Sequence, residues 1–192
     1  KATAPARISN AGAAVFSNIQ IGGSTAQYTV GDKGIYSFGD GSDGTYTVSV
    51  NTTDAPTDSA CTGTISTTSL SATNASFAAN QIILIHQARG TGTGGWELNV
   101  INSYVAGTIT TKYNLANTYT DSGASQAYVR VMRQYSAVTI NAGTTYTAKD
   151  WDGDVGGIIG WVCNGTTTIN GTVAASGNGF QGGGAGANEV TG

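Results

Sequence analysis

Asp150-Trp151-Asp152-Gly153-Asp154 sets three carboxylates at alternate positions, the way a calcium-binding loop begins. Calcium gathers about six to eight oxygen ligands, and clustered carboxylates supply both oxygens and charge. The complete loop also needs glycine at its sixth position and glutamate at its twelfth, where this chain has Val155 and Trp161. Asp150, Asp152 and Asp154 are therefore either calcium ligands or a solvated acidic turn closing on the glycines that follow; the departures favour the turn. Trp151, set among acids and glycine, is expected to be the most accessible tryptophan and the best placed to bind a ligand, because an indole stacks on the apolar face of a sugar ring. The pair Asp40 and Asp43 lies in the glycine-rich run Gly39 to Gly44, where ordinary turn chemistry accounts for both.

Nucleophilic catalysis has little to draw on. His86 is the one imidazole, so any triad must pass through it. It shares a strand face with Leu84 and Ile82, which predicts a core-edge histidine with a satisfied hydrogen bond. Glu97 is the best acid for glycoside cleavage, yet its strand position predicts a side chain facing water. Gly90 to Gly95 is glycine-rich, but no helix pattern follows to hold a phosphate. Cys61 and Cys163 have no metal-ligand spacing around them and are either a disulfide or two separate buried thiols. A bond closing so long a loop contributes roughly 4–5 kcal/mol, and the secretory composition favours it.

The positioning elements must be strands. Lys and Arg total 8, Asp and Glu 11, and Gly 29 of 192 residues, with charged residues at 10%. A typical domain carries about 25% charged residues, so solubility here rests on hydroxyls and amides. A net charge of −3 gives no electrostatic footprint for nucleic acid. The run Ile82 to Ile85 is far too short to cross a bilayer. A chain that opens on Lys1 is expected to be either a processed product or an excerpt, and processing fits secretion.

Thr45 to Val50 alternates with period two, and Ile82 to Ile85 is apolar on both faces, as in a central strand. Trp96 to Ile101 and Thr108 to Thr111 read as strands joined near Ala106-Gly107, and Tyr128 to Arg133 as another. Residues 51–79 read as a long irregular connection with one or two short strands. Trp161 sits in an apolar strand and is expected in the core. In the last third, Asn164-Gly165 and Asn170-Gly171 suit either type I′ hairpins or the corners of solenoid rungs. No segment keeps a helical apolar period.

The run Gly39-Asp40-Gly41-Ser42-Asp43-Gly44-Thr45-Tyr46-Thr47-Val48, with Trp151-Asp152-Gly153, Gly156-Gly157-Ile158-Ile159, the two Asn-Gly corners and Gly177-Asn178-Gly179-Phe180-Gln181-Gly182-Gly183, resembles glycine-rich surface proteins of bacteria and phages. In that group β-solenoid-like rungs follow a small β module. The resemblance implies an exported structural or adhesive component and brings no catalytic residues.

The expected fold is all-β: a β-sandwich or jelly-roll-like module with short solenoid-like strands in the C-terminal third. The expected domains are an N-terminal arm over 1–27, a β domain over 28–176 and a glycine-rich tail over 177–192. The expected function is an extracellular, non-enzymatic subunit of a surface filament or virion-type assembly, built from copies of itself by β-strand pairing. Few charges and two prolines guard its edges. Val15, Phe16, Ile19 and Ile21 are the expected subunit contacts on a donated strand. The alternative is a carbohydrate-binding or adhesive module, with or without calcium. Sequons at Asn51, Asn74, Asn164 and Asn170 are candidate glycosylation sites.

Overall fold

The computed structural model describes residues 39–180 and two short earlier strands, β1 (Ile19–Gln20) and β2 (Gln27–Tyr28), which pair antiparallel. Of the expected subunit contacts, Val15, Phe16 and Ile21 lie outside the described residues, and Ile19 is placed only by its strand. No helix occurs among the described residues; the protein is all-β.

The expected sandwich is replaced by two other architectures. Strands β5 (Asp58–Gly63), β6 (Ser69–Ala72), β7 (Ile82–Arg89), β8 (Trp96–Val105), β9 (Thr108–Thr111) and β10 (Gln126–Tyr135) pair antiparallel in the order β10-β5-β6-β9-β8-β7. The β7–β10 pairing then closes the sheet into a six-stranded barrel. β5 and β6 fall inside the supposed irregular connection. Their inward positions are small or isolated, Cys61, Leu70 and Ala72, so the apolar alternation is weak although the strands are regular.

Alternate residues of each barrel strand fill the interior, as a barrel this narrow requires. Ile83 and Ile85 on β7, Val129 and Val131 on β10, Ile101 on β8 and Ile109 on β9 are buried there with Leu70 and Tyr119. The β8–β9 connection is a tight turn with positive φ at Ala106 (45°) and Gly107 (86°), as the sequence suggested. Polar side chains close one end of the barrel. Gln87 donates to Thr120 O (2.9 Å) and accepts from Thr120 N (2.8 Å), while Asn99 donates to Tyr113 O (3.0 Å).

Apart from β1 and β2, the strands outside the barrel form a parallel solenoid. β3 (Thr45–Val48) and β4 (Thr52–Thr53) make its first rung. The end of β10, with β11 (Ala137–Ile140) and β12 (Thr145–Thr147), makes the second. β13 (Trp161–Cys163), β14 (Thr167–Ile169) and β15 (Thr172–Ala174) make the third. Stacked ladders join them: Tyr46 to Val138 to Thr167, Val48 to Ile140 to Ile169, and Tyr146 to Val173. The whole barrel is thus an insertion between the first and second rungs.

Asn164-Gly165 and Asn170-Gly171 connect strands of different sheets, so they are rung corners rather than hairpins. None of the four residues has the positive φ of a type I′ turn. Glycine is required here for close approach. A Cβ on Gly165 would lie 2.1 Å from Ser136 O, and one on Gly171 2.3 Å from Asn141 O and 2.4 Å from Thr144 O.

A buried ion pair fastens the barrel to the solenoid. Arg130 of β10 is 2% exposed and meets Asp54, 7% exposed, at 2.8 Å. Tyr146 of the second rung donates to the other Asp54 oxygen at 2.7 Å. Arg130 also donates to the carbonyls of Ile158 and Gly160, while its Nε has no partner. Two charges leave water at this seam, and their mutual contact makes that burial tolerable.

Candidate ligand-binding surface

The connection from β12 to β13 carries the acidic loop across the outer wall of the barrel. Outward residues of β7, β8 and β10 form that wall: Leu84 and His86, Leu98 and Trp96, Tyr128 and Arg130. Trp151 lies half-buried against it, 6.0 Å from the Tyr128 ring and edge-on to Phe180 at 4.9 Å. Phe180 in turn covers His86 at 4.9 Å. The expected solvent-facing indole is therefore packed, because the turn that carries it folds back onto an apolar wall.

Trp96 is the accessible tryptophan, 61% exposed at the start of β8 and directly opposite His86 in the ladder. Trp151, Phe180 and His86 thus make a strip of half-buried rings, with the exposed Trp96 beside His86 in the ladder. Sequence reading missed Trp96 because strand alternation does not say which face is covered. Trp161 packs in the solenoid core beside Tyr146, their rings 6.0 Å apart, as expected.

The three loop carboxylates turn to separate partners. Asp150 accepts from the Asn178 amide, and Asp154 from Gln126 Nε2 at 3.2 Å. Asp152 accepts the N–H groups of Asp154 (3.0 Å) and Val155 (2.9 Å). Burial pushes the Asp152 carboxyl up, but those two N–H groups and Lys149 outweigh it and hold it below the usual range. Lys149 sits between Asp58 (3.0 Å) and Asp152 (3.5 Å), beside a cleft of about 450 Å³ that Asp58, Asp152 and Asp154 line. Its ammonium already supplies the positive charge that such carboxylates attract. Among the described residues no group of three His, Cys, Asp or Glu is placed to hold a metal ion.

His86 differs from expectation in one respect: its Nδ1 is buried with no hydrogen-bond partner. The Phe180 and Tyr128 rings surround it where a polar partner would stand. Burial lowers the pKa of the imidazole, which keeps it neutral. Glu97 faces the barrel interior instead of water and is 9% exposed. One of its oxygens accepts from Ala116 N (2.9 Å) and Tyr119 OH (3.0 Å), so it closes the barrel end. His86 and Glu97 sit on opposite faces of the sheet.

The expected disulfide is corrected. Cys61 and Cys163 are free thiols, the first inside the barrel and the second against the solenoid core. They lie in separate cores, and burial raises the Cys61 thiol well above its usual range. Of the sequons, Asn51 and Asn74 use their side chains structurally, accepting from Thr145 N (2.9 Å) and donating to Asp58 O (3.0 Å). Asn164 and Asn170 are exposed at rung corners.

No protein-family model matches the chain, and no curated protein matches it. Among solved structures it is similar to the Gp54 tailspike of Acinetobacter baumannii bacteriophage AP22 in complex with A. baumannii capsular saccharide. That likeness has 10% sequence identity and a TM-score of 0.33, over 64% of this chain. The chain spans 24% of the tailspike's length.

Proposed function

We propose that the chain is a structural module of an extracellular, surface-fibre or virion-type assembly. The solenoid is its shaft, the barrel projects from the side, and copies join by strand pairing. The observation that carries this reading is the pair of open ends on the solenoid. Among the described residues, β3 and β4 at one end, and β13, β14 and β15 at the other, each have a neighbour on one side only. Unpaired N–H and C=O groups at such edges are ready acceptors for another strand. The barrel has no edge to offer.

Size measurement by light scattering with negative-stain imaging tests the reading. The Gly44 and Val48 carbonyls bond toward β11, so Thr47 between them points its N–H to the free side. Thr47→Pro and, at the far end, Ile169→Lys are expected to convert assemblies to single folded chains. A full-length chain that stays monomeric at its highest soluble concentration overturns it.

A second reading, glycan contact by the barrel wall, is favoured by the exposed Trp96 indole at the end of its aromatic strip. Trp96→Ala abolishes glycan retention on that reading and leaves assembly intact.

A further inference from the structure

Among the described residues the first rung of the solenoid lacks one strand. The second and third rungs each have a strand on the face formed by β10 and β13, but no described strand precedes β3 on that face. Asp43 takes over the edge of β10 instead. Its N–H donates to Gln134 O (2.9 Å) and its carboxylate accepts from Gln134 N (2.6 Å). One residue thereby takes the place of a strand at a single point. Side chains that a full rung would seal now line a cleft of about 390 Å³. That volume falls within the range of about 300–1,000 Å³ usual for small-molecule sites.

Tyr46, Tyr135 and Tyr146 supply its aromatic surface. Tyr46 lies parallel to Tyr135, ring centroids 5.0 Å apart with 8° between planes, and Tyr146 is tilted against Tyr46 at 5.6 Å. Tyr46 is half-buried, and Thr53 at the rim is exposed. The charges are balanced within the protein: Asp43 meets Arg133 at 3.2 Å and Asp54 meets Arg130 at 2.8 Å. Burial lifts the Tyr135 phenol to about 12, so it stays a neutral hydroxyl at physiological pH.

This lining selects its ligand class by elimination. A free cation finds both carboxylates already paired, and a free anion finds both guanidiniums so. A purely apolar ligand would strip water from hydroxyls and carboxylates without replacing those hydrogen bonds, at a cost of roughly 1–3 kcal/mol per group. A neutral pyranose has an apolar C–H face to lay on a tyrosine ring and a rim of hydroxyls to exchange hydrogen bonds with Thr53 and the carboxylates. We propose that this cleft between barrel and solenoid is a binding site for one neutral pyranose unit of an oligosaccharide. The cleft opens at the rung that the assembly reading pairs with a second copy, so binding is measured on the monomeric chain, and the cleft uses none of the residues of the barrel-wall strip.

The test is calorimetric titration of the full chain with cellohexaose, maltohexaose and chitohexaose, and with an oligogalacturonate as a charged control. At least one neutral probe is expected to bind saturably and the charged control not to bind. Tyr46→Ala removes the stacking ring and is expected to weaken binding about tenfold or more, equivalent to about 1.4 kcal/mol. Ala55→Arg places a long side chain at the exposed mouth without touching the core and is expected to abolish binding. Trp96→Ala is expected to leave it unchanged. Failure of all three neutral probes, binding that survives Ala55→Arg, or loss of binding on Trp96→Ala overturns the proposal.

Discussion

In the barrel every strand has two neighbours, and its interior is packed mainly with branched aliphatic side chains. Among the described residues the outer rungs of the solenoid have one neighbour each, and its core adds the rings of Tyr46, Tyr135, Tyr146 and Trp161 to Val48, Val138 and Ile140. Closure lets the barrel satisfy its backbone internally and leaves only its walls to interact. The solenoid stacks a few short strands, and among the described residues its end strands keep one side without a ladder partner. Rigid, amphipathic rings suit such ends, because one edge of a tyrosine tolerates water while its face packs.

The seam between the two regions is where this contrast breaks most readily. Arg130→Met leaves Asp54 buried without its counter-charge and is expected to cost about 3–5 kcal/mol in denaturant unfolding. Within the barrel, Ile85→Ala opens a cavity among residues that cannot collapse, for an expected loss of about 2–5 kcal/mol. The matching change at the open end, Ile169→Ala, removes a side chain that is 52% exposed and is expected to shift stability by within about 0.5 kcal/mol. Comparable losses at the two sites would show that the end is covered in solution. Gly171→Ala forces a methyl against two carbonyl oxygens of the rung above and is expected to cost about 1–3 kcal/mol, read as a lower Tm.

The smallest effect concerns pH. Burial holds the His86 imidazole below its usual pKa of about 6.5, so on acidification the unfolded chain takes up a proton first. The stability that neutral His86 contributes is therefore complete above about pH 6.5 and declines below it. Between about pH 7.5 and 5.5 the wild-type Tm is expected to fall more than that of His86→Phe.

Which parts of this were legible in the sequence follows from how local their causes are. Ile82 to Ile85 was readable as a central strand because a run apolar on both faces needs neighbours on both sides. The Ala106-Gly107 turn was readable because its backbone conformation is fixed by two adjacent residues. Glu97 was misread because the polar member of an alternating pair points inward here, where Tyr119 and Ala116 N–H receive it. The solenoid's first rung was hidden for a different reason. Tyr46 pairs with Val138 across the entire barrel, so no repeat at fixed spacing links those two rungs. The tyrosine cleft inherits that invisibility, since the whole barrel separates Tyr46 from Tyr135 and Tyr146 in the sequence.

The chain enters and leaves the barrel at nearly one point: Thr57 O accepts from Val131 N at 2.8 Å, and Asp54 touches Arg130. Such an insertion behaves as a plug-in. The register between the first and second rungs is set by the β3–β11 ladder rather than by the barrel, so a replacement domain with adjoining termini is expected to leave that ladder in place.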